Sequence, residues 1–226
     1  MDRKLKIAVI FGGCSPEYPV SLESAHSVIV NLDREKYEPV LLGITQGGEW
    51  FRFLGCAEAL EDDNWHRDRS LCIPAVISPD RDLPGLVEFR MNGVRTTRLD
   101  AAFPVLHGRN GEDGTVQGLC ELAGIPVIGC GTLASALCMD KDRAHKLASL
   151  AGMEVPRSVC FSGLPSQAEL ETLTRSLTFP VFVKPVRAGS SFGITKVENP
   201  ANLRTAVRDA LRYDREVIVE ETIAGF

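Results

Sequence analysis

No two cysteines in this sequence are spaced C-x-x-C. The seven that occur (Cys14, Cys56, Cys72, Cys120, Cys130, Cys138 and Cys160) are odd in number and scattered. The four histidines, His26, His66, His107 and His145, are equally dispersed, so no zinc-ligand spacing emerges. The thiols read as the reduced cysteines of a cytoplasmic protein rather than as a disulfide scaffold. A run of about 20 apolar residues, the length a membrane-spanning helix needs, is also lacking. The apolar stretch inside MDRKLKIAVIFGG is too short for a signal peptide, so no membrane is expected as a partner. Basic excess is missing as well: 25 Lys and Arg stand against 30 Asp and Glu, a net charge of −5. A nucleic-acid partner favours a basic face and is not expected, although a local basic cluster for a small phosphate ligand stays open. There is no G-x-x-x-x-G-K-[ST] loop, no G-x-G-x-x-G fingerprint, no internal repeat and no low-complexity segment.

The 226 residues present are 44% hydrophobic and 24% charged, enough for one large domain or two modest ones with a real core. Residues 6–11 form a short apolar run stopped by Gly12-Gly13, as a buried parallel strand would be. Apolar residues then recur at helical spacing over 20–32, and PVLLGI at 39–44 reads as a second strand. Strand, glycine loop, helix and strand make a βαβ opening. The charged stretch 57–69 reads as a loop with a helical turn. Asn92-Gly93, between LVEFRM and VRTTRL, is a hairpin signal. A strand at 101–106 enters the loop HGRNGEDG, followed by a helix over 115–123 that Gly124 closes, and by a strand end at 127–129. Beyond Gly129 the order changes. Helices are predicted over 132–138, 141–150, 166–176 and 200–213, and strands over 158–161, 181–184, 194–197 and 216–221. A domain boundary is therefore placed near Gly129, giving domains 1–129 and 130–226.

Five segments carry chemistry. Glu17 leaves a glycine turn at a strand's carboxyl end, where ligands of open α/β sheets bind, and it can hold an ammonium group. Read alone, it can equally favour the positive end of the helix dipole. The loop from His107 to Gly114 carries three glycines that let a ligand approach the backbone. Helix capping accounts for one of Glu112 and Asp113, but not for the histidine, arginine and glycines together. Lys184 stands on a strand before Gly189, Ser190, Ser191, Phe192 and Gly193, a phosphate-binding arrangement that is otherwise a plain hairpin. Lys141, opening a helix after Met139-Asp140, reads alone as a surface lysine. Glu220-Glu221, ending an apolar strand, read alone as solvated acids.

In this order the segments resemble the D-alanine–D-alanine ligase family of ATP-grasp enzymes. The series is F-G-G-x-S-x-E, L-H-G-x-x-G-E-D-G-x-x-Q-G, M-D-K and V-K-P-x-x-x-G-S-S-x-G, and the resemblance covers essentially the whole chain. GITQGGEW, AAFPVLHG, ALCMDKDRAHKLASLAG and FVKPVRAGSSFGITKV look closest to the vancomycin-resistance branch, particularly its D-alanine–D-serine ligases. The resemblance implies an α/β chain: a Rossmann-like (pre-ATP-grasp) substrate-binding domain, then the central, first half of an α+β ATP-grasp domain. It implies ligation of D-alanine to a second D-amino acid through an acyl phosphate, with ATP and Mg²⁺, for peptidoglycan precursors, in a homodimer. By motif matching, Glu17 would hold the first D-alanine's ammonium, oriented through Ser190, and these two are its catalytic residues in this chain. His107 would sit by the first substrate's carboxylate. Lys141 and Lys184 would contact ATP phosphates beneath the loop of Gly189, Ser190, Ser191 and Gly193. Glu220 would accept from the adenine amino group, and the backbone of Thr222 and Ile223 would face the ring.

The family's metal-binding acids and asparagine, its oxyanion arginine and its second-substrate loop lie in a C-terminal domain that would begin about where this chain ends. The expectation is therefore a fragment with no metal ligands of its own, inactive alone, whose second substrate (D-alanine, D-serine or D-lactate) the sequence does not give. Two other readings stand beside it: a non-catalytic nucleotide- or amino-acid-binding module, and another ATP-grasp carboxylate–amine ligase. The latter is not expected to carry both F-G-G-x-S-x-E and H-G-x-x-G-E-D-G.

Overall fold

The first strand, β1 (Leu5–Gly12), is buried on both faces, with Ile7 through Phe11 at most 4% exposed. It belongs to a computed structural model that describes residues 3–83 and 85–224 and divides into two compact units between Ala136 and Leu137. In the first unit β1 runs parallel to β2 (Tyr37–Ile44) on one side and to β7 (Ala101–Pro104) on the other. Beyond β2 the sheet continues through antiparallel strands β3 (Trp50–Phe53), β4 (Cys72–Ser78), β5 (Gly85–Arg90) and β6 (Gly93–Thr97), in the order β6-β5-β4-β3-β2-β1-β7.

The alternation of β1 sends its side chains into two different cores. Val9 and Phe11 join Leu41 beneath α1 (Tyr18–Asn31), whose Tyr18, Leu22, Ala25 and Ile29 recur at helical spacing on its buried face. Ala8 and Ile10 join Val40 and Leu42 on the opposite face, covered by Val116 and Cys120 of α2 (Thr115–Leu122). Helices on both faces of a parallel core are what the βαβ opening predicts.

Some boundaries differ from the sequence expectation. The first helix starts at Tyr18 because Pro19 fits the first turn, where its missing N–H is not needed. The strand expected over 101–106 ends at Pro104, although the Val105 amide still donates to the Ile10 carbonyl (2.7 Å). At 127–129 there is a single bridge, Ala102 to Val127. Strand β4 has no counterpart in the expectation: Pro74 interrupts its pattern, and a proline demotes a candidate strand. The stretch 57–69 holds a 3-10 turn at Ala57–Leu60 and a core anchor, Trp65, edge-on to Phe11 and Phe53 at centroid distances of 5.1 and 5.8 Å. The hairpin at Asn92-Gly93 forms as predicted, between β5 and β6.

Helix α3 (Thr132–Met139) spans the division. The second unit holds α4 (Lys141–Leu150), β8 (Ser158–Ser162), α5 (Gln167–Thr174), β9 (Val181–Pro185), β10 (Thr195–Val197), α6 (Leu203–Ala210) and β11 (Glu216–Glu221). Its four strands form an antiparallel sheet in the order β10-β9-β11-β8. Val181, Val183, Val217 and Val219 pack on one face against Leu170 of α5 and Leu203, Ala206 and Val207 of α6. Ser166 and Glu169 close a capping box at the start of α5. The helix expected over 200–213 is split into a 3-10 turn at Pro200–Asn202 and the shorter α6.

Candidate functional site

In the first unit, the chain leaves β1 through two glycines in the left-handed region, Gly12 at φ +87° and Gly13 at +99°. A side chain on Gly12 would meet the Ile44 carbonyl oxygen at 2.1 Å, so only glycine lets the chain turn this close to β2. The turn delivers Glu17, 4% exposed, to the start of α1, where its side chain makes no capping bond to the helix. Three serines hold this corner together. The Ser15 hydroxyl donates to the His107 carbonyl (2.7 Å) and accepts from the Glu17 amide (3.1 Å). The buried Ser21 hydroxyl accepts from the Gly12 amide (2.8 Å) and donates to the Val105 carbonyl. The Ser24 hydroxyl shares a hydrogen bond with Nε2 of His107 (3.1 Å).

The loop after β7 is braced by its own acids. Glu112 accepts from the Gly108 amide (2.7 Å), and Asp113 accepts from the amides of Asn110 (2.8 Å) and Thr115 (3.1 Å). Gly114, in the left-handed region, is the N-cap of α2; Asp113 bridges the turn just before it, while Glu112 folds the loop back on Gly108. The Gln117 side chain donates to the Gly111 carbonyl (2.8 Å). The first unit therefore brings Glu17 and His107 together at the carboxyl ends of β1 and β7, where an α/β sheet binds ligands. A cavity of about 240 Å³ opens beside them, lined by Gly13, Cys14, Trp50, Leu106, His107 and Arg109 among others. Tyr18, next to Glu17, donates to Asp63 (2.6 Å) and accepts from the Trp65 indole (2.9 Å). Burial first, and then the bond to Asp63, raise its pKa well above the ordinary phenol value.

In the second unit, Lys184 and Glu220 lie on the sheet face opposite the valines. The register sets Lys184 against Ile218 and Phe182 against Glu220, so lysine and glutamate meet on the diagonal. The Lys184 ammonium pairs with Oε1 of Glu220, and it also lies 5.4 Å from the Phe182 ring centre. Glu220 is 6% exposed, and Nε2 of His145, on α4, stands 4.0 Å from its other oxygen. Lys141 opens α4 with its ammonium donating to the Ala188 carbonyl (2.6 Å) and its amide to the Val186 carbonyl (3.2 Å). The loop that follows β9 turns at Ser190 and Ser191, both non-glycine residues with positive φ (45° and 59°), and at Gly193 (70°). Such a loop presents amides and hydroxyls to an anion. Thr222 donates both its amide (3.2 Å) and its hydroxyl (2.8 Å) to the Pro180 carbonyl, and Ile223 is 66% exposed.

The sequence-predicted residues thus fall into two groups. Glu17 and His107 belong to the first unit. Lys141, Lys184, Gly189, Ser190, Ser191, Gly193, Glu220, Thr222 and Ile223 belong to the second. Sequence reasoning gave no role to Ser15, Ser21, Ser24 or His145. Ser15 stood inside the quoted glycine motif. The spacing of Ser21 and Ser24 from Glu17, one and two helical turns, was the available signal for the other serines. Among the described residues no three His, Cys, Asp or Glu side chains are grouped to hold a metal ion, and no helix is long and apolar enough to cross a membrane.

Two family models and several known proteins match this chain. A family model described as D-ala D-ala ligase N-terminus matches residues 6–130, and one described as D-ala D-ala ligase C-terminus matches residues 151–226. The chain is 44% identical over 222 residues to the vancomycin B-type resistance protein VanB of Enterococcus faecalis, covering 98% of the chain and 61% of that protein. It is 45% identical over 223 residues to a putative D-alanine–D-lactate ligase of Streptomyces coelicolor, again covering 98% and 61%. Its fold superposes on the crystal structure of the VanG D-Ala:D-Ser ligase from Enterococcus faecalis with a TM-score of 0.89 and 52% identity, covering 99% of the chain and 64% of that structure. The chain spans about 61% of the length of the curated relatives it matches.

Proposed function

Because this chain belongs to the D-alanine–D-alanine ligase family, we propose that it supplies the first-substrate and nucleotide-binding parts of an ATP-dependent ligase. That ligase joins D-alanine to a second D-amino acid for peptidoglycan precursors. The observation that carries the reading is the burial of the Glu17 carboxylate at the carboxyl end of β1, beneath the Gly108 backbone and beside His107. A carboxylate so placed suits a small ammonium ligand, which matches its charge and can donate to both of its oxygens.

A carboxylate resists attack by an amine until one oxygen becomes a good leaving group, and transfer of a phosphoryl group from ATP achieves this. The protein's share of such chemistry is positioning and charge. Glu17 holds the ammonium of the first D-alanine, and His107 faces its carboxylate. Lys141 and Lys184 supply positive charge to the phosphates, under the amides and hydroxyls of Gly189, Ser190, Ser191 and Gly193. Glu220 accepts from the adenine amino group, and the backbone of Thr222 and Ile223 lines the ring. The pairing of Lys184 with Glu220 supports this reading in that it sets a half-buried cation beside a buried carboxylate on neighbouring strands, the two charges the reading assigns to phosphate and to adenine. Magnesium has no grouped ligand set among the described residues, and no step is assigned to it. Domains of 1–129 for substrate and 130–226 for nucleotide, a homodimer and a cytoplasmic setting belong to the same reading. The second substrate is left open, since the relatives' names differ between D-lactate and D-serine.

The test is phosphate release by the complete polypeptide that carries these residues, with ATP, Mg²⁺ and D-alanine. Release that depends on D-alanine, with a D-alanyl product seen by mass spectrometry, is expected. D-Alanine, D-serine and D-lactate offered in competition then identify the second substrate. Saturable D-alanine binding with no turnover would replace the ligase with a receptor module.

A further inference from the structure

Three carboxylates from three different places in the second unit converge on one guanidinium. Asp140 is the N-cap of α4, Asp214 lies in the turn after α6, and Glu216 begins β11. Arg187 donates through Nη1 to Asp140 (3.1 Å) and through Nη2 to Asp214 (2.9 Å), and Nη2 is 2.6 Å from Glu216. Its backbone amide donates to the second oxygen of Asp214 (2.7 Å). Asp140 and Asp214 are nearly closed to solvent, with side chains 4% and 8% exposed. Burial works against the Arg187 charge, but the bonds to Asp214 and Glu216 outweigh it and raise its pKa further.

This cluster sits at the root of the loop from Gly189 to Gly193. Asp140 precedes Lys141, and it accepts from the Arg143 amide (3.0 Å) to start the helix that Lys141 opens. The Lys141 amide reaches the Val186 carbonyl and its ammonium reaches the Ala188 carbonyl, one residue to either side of Arg187. The same guanidinium thus ties together the lysine-bearing helix start and the loop. It also answers the charge of three acids at a place read as receiving a polyphosphate. With Arg187 and the more exposed Arg143 counted, the cluster carries a formal charge of −1; without Arg187 it carries −2.

We infer that Arg187 is a positioning residue for the nucleotide's phosphates, which holds Lys141 and the Gly189–Gly193 loop in register and cancels carboxylate charge that would otherwise repel the polyphosphate. The inference rests on the nucleotide reading above. A residue that only braced the fold would affect every nucleotide alike. A residue that screens acids from phosphate matters more as the phosphates increase in number.

The experiment measures ATP and AMP affinity by calorimetry in the complete polypeptide carrying these residues, unaltered and as Arg187→Met, Arg187→Lys and Arg187→Met with Asp214→Asn. Arg187→Met is expected to weaken ATP by roughly tenfold or more and AMP by clearly less, because it leaves nearly buried acids without their counter-charge. Asp214→Asn in the same chain is expected to restore part of the ATP affinity by removing one of those acids. Arg187→Lys keeps the charge without the two-pronged geometry, and serves as the test where the methionine variant does not fold. It is expected to keep the ATP-to-AMP ratio closer to the unaltered protein. Equal losses for ATP and AMP, or unchanged ATP affinity, would overturn the inference. No saturable ATP binding by the unaltered protein would overturn the nucleotide reading itself, and this inference with it.

Discussion

A side chain on Gly108 would place its Cβ 1.8 Å from Oε2 of Glu17. The glycine in the loop after β7 and the carboxylate at the start of α1 are therefore fitted to one another, and Gly108 also adopts a left-handed φ of 69°. The group in the way is the end of a side chain, so Gly108→Ala resolves the clash by moving the carboxylate. The backbone conformation adds about 1 kcal/mol of instability. Displacement of Glu17 is expected to weaken D-alanine by roughly tenfold to a hundredfold, in line with the cost of misplacing a binding group by an ångström. Calorimetry with D-alanine checks this, and unchanged affinity would remove Glu17 from the ammonium site.

Ser21→Ala tests the corner that presents Glu17. Its hydroxyl satisfies the Gly12 amide and the Val105 carbonyl in a place fully closed to solvent. Alanine leaves both groups without that partner, for an expected loss of about 1–3 kcal/mol. A denaturant melt measures it, and a loss near zero would mean that water enters and replaces the hydroxyl.

Lys184→Met removes the ammonium partner of a carboxylate that is only 6% exposed. The expected destabilisation is about 2–4 kcal/mol, because the buried Glu220 charge loses its answer. Glu220→Gln in the same chain is expected to recover part of it. Thermal melts of the two variants decide the matter, and an additive loss would deny the coupling.

Alkaline stability is set in part by Cys120. Burial pushes this thiol up from 9.0 to about 11, and the residue has 0% exposure. The folded form holds its proton where the unfolded chain has released it, so the contribution is intact below pH 9 and lost as pH rises towards 11. The amount is on the order of 2–3 kcal/mol. Cys120→Ala should flatten this limb of the stability curve, measured by melts from pH 8 to 11. Native thiol labelling at pH 8 should reach the exposed Cys14, Cys56, Cys130 and Cys138 before the buried Cys72 and Cys120.

Where pattern and environment agree, the fold was legible. IAVIF is buried on both faces, and the helix after Glu17 repeats its apolar residues at the spacing its buried face requires. Strand β4 was not legible, since Pro74 takes it out of the usual pattern while its neighbours β3 and β5 supply the pairing that keeps it a strand. Trp65 was hidden for another reason: its burial is created by Phe11 and Phe53, distant in sequence. The site divides in the same way. Glu17, His107, Lys141 and Lys184 stand in local motifs. Arg187 was visible only as a letter between a lysine and a glycine loop, because the acids that give it meaning, Asp140, Asp214 and Glu216, come from elements 27 to 47 residues away.

The position of β1 between β2 and β7 also bears on how the chain is made. On the ribosome β1 gains its first neighbour once residue 44 has emerged, but its second waits for residues 101–104. At about 5–20 residues per second that is an interval of roughly 3–12 s. Throughout it, one long edge of this apolar strand stands open to any other extended segment. The β3–β6 strands emerge meanwhile and attach on the far side of β2, so they do not close it. A newborn chain is therefore most vulnerable to mispairing before the loop that carries His107 has been synthesised.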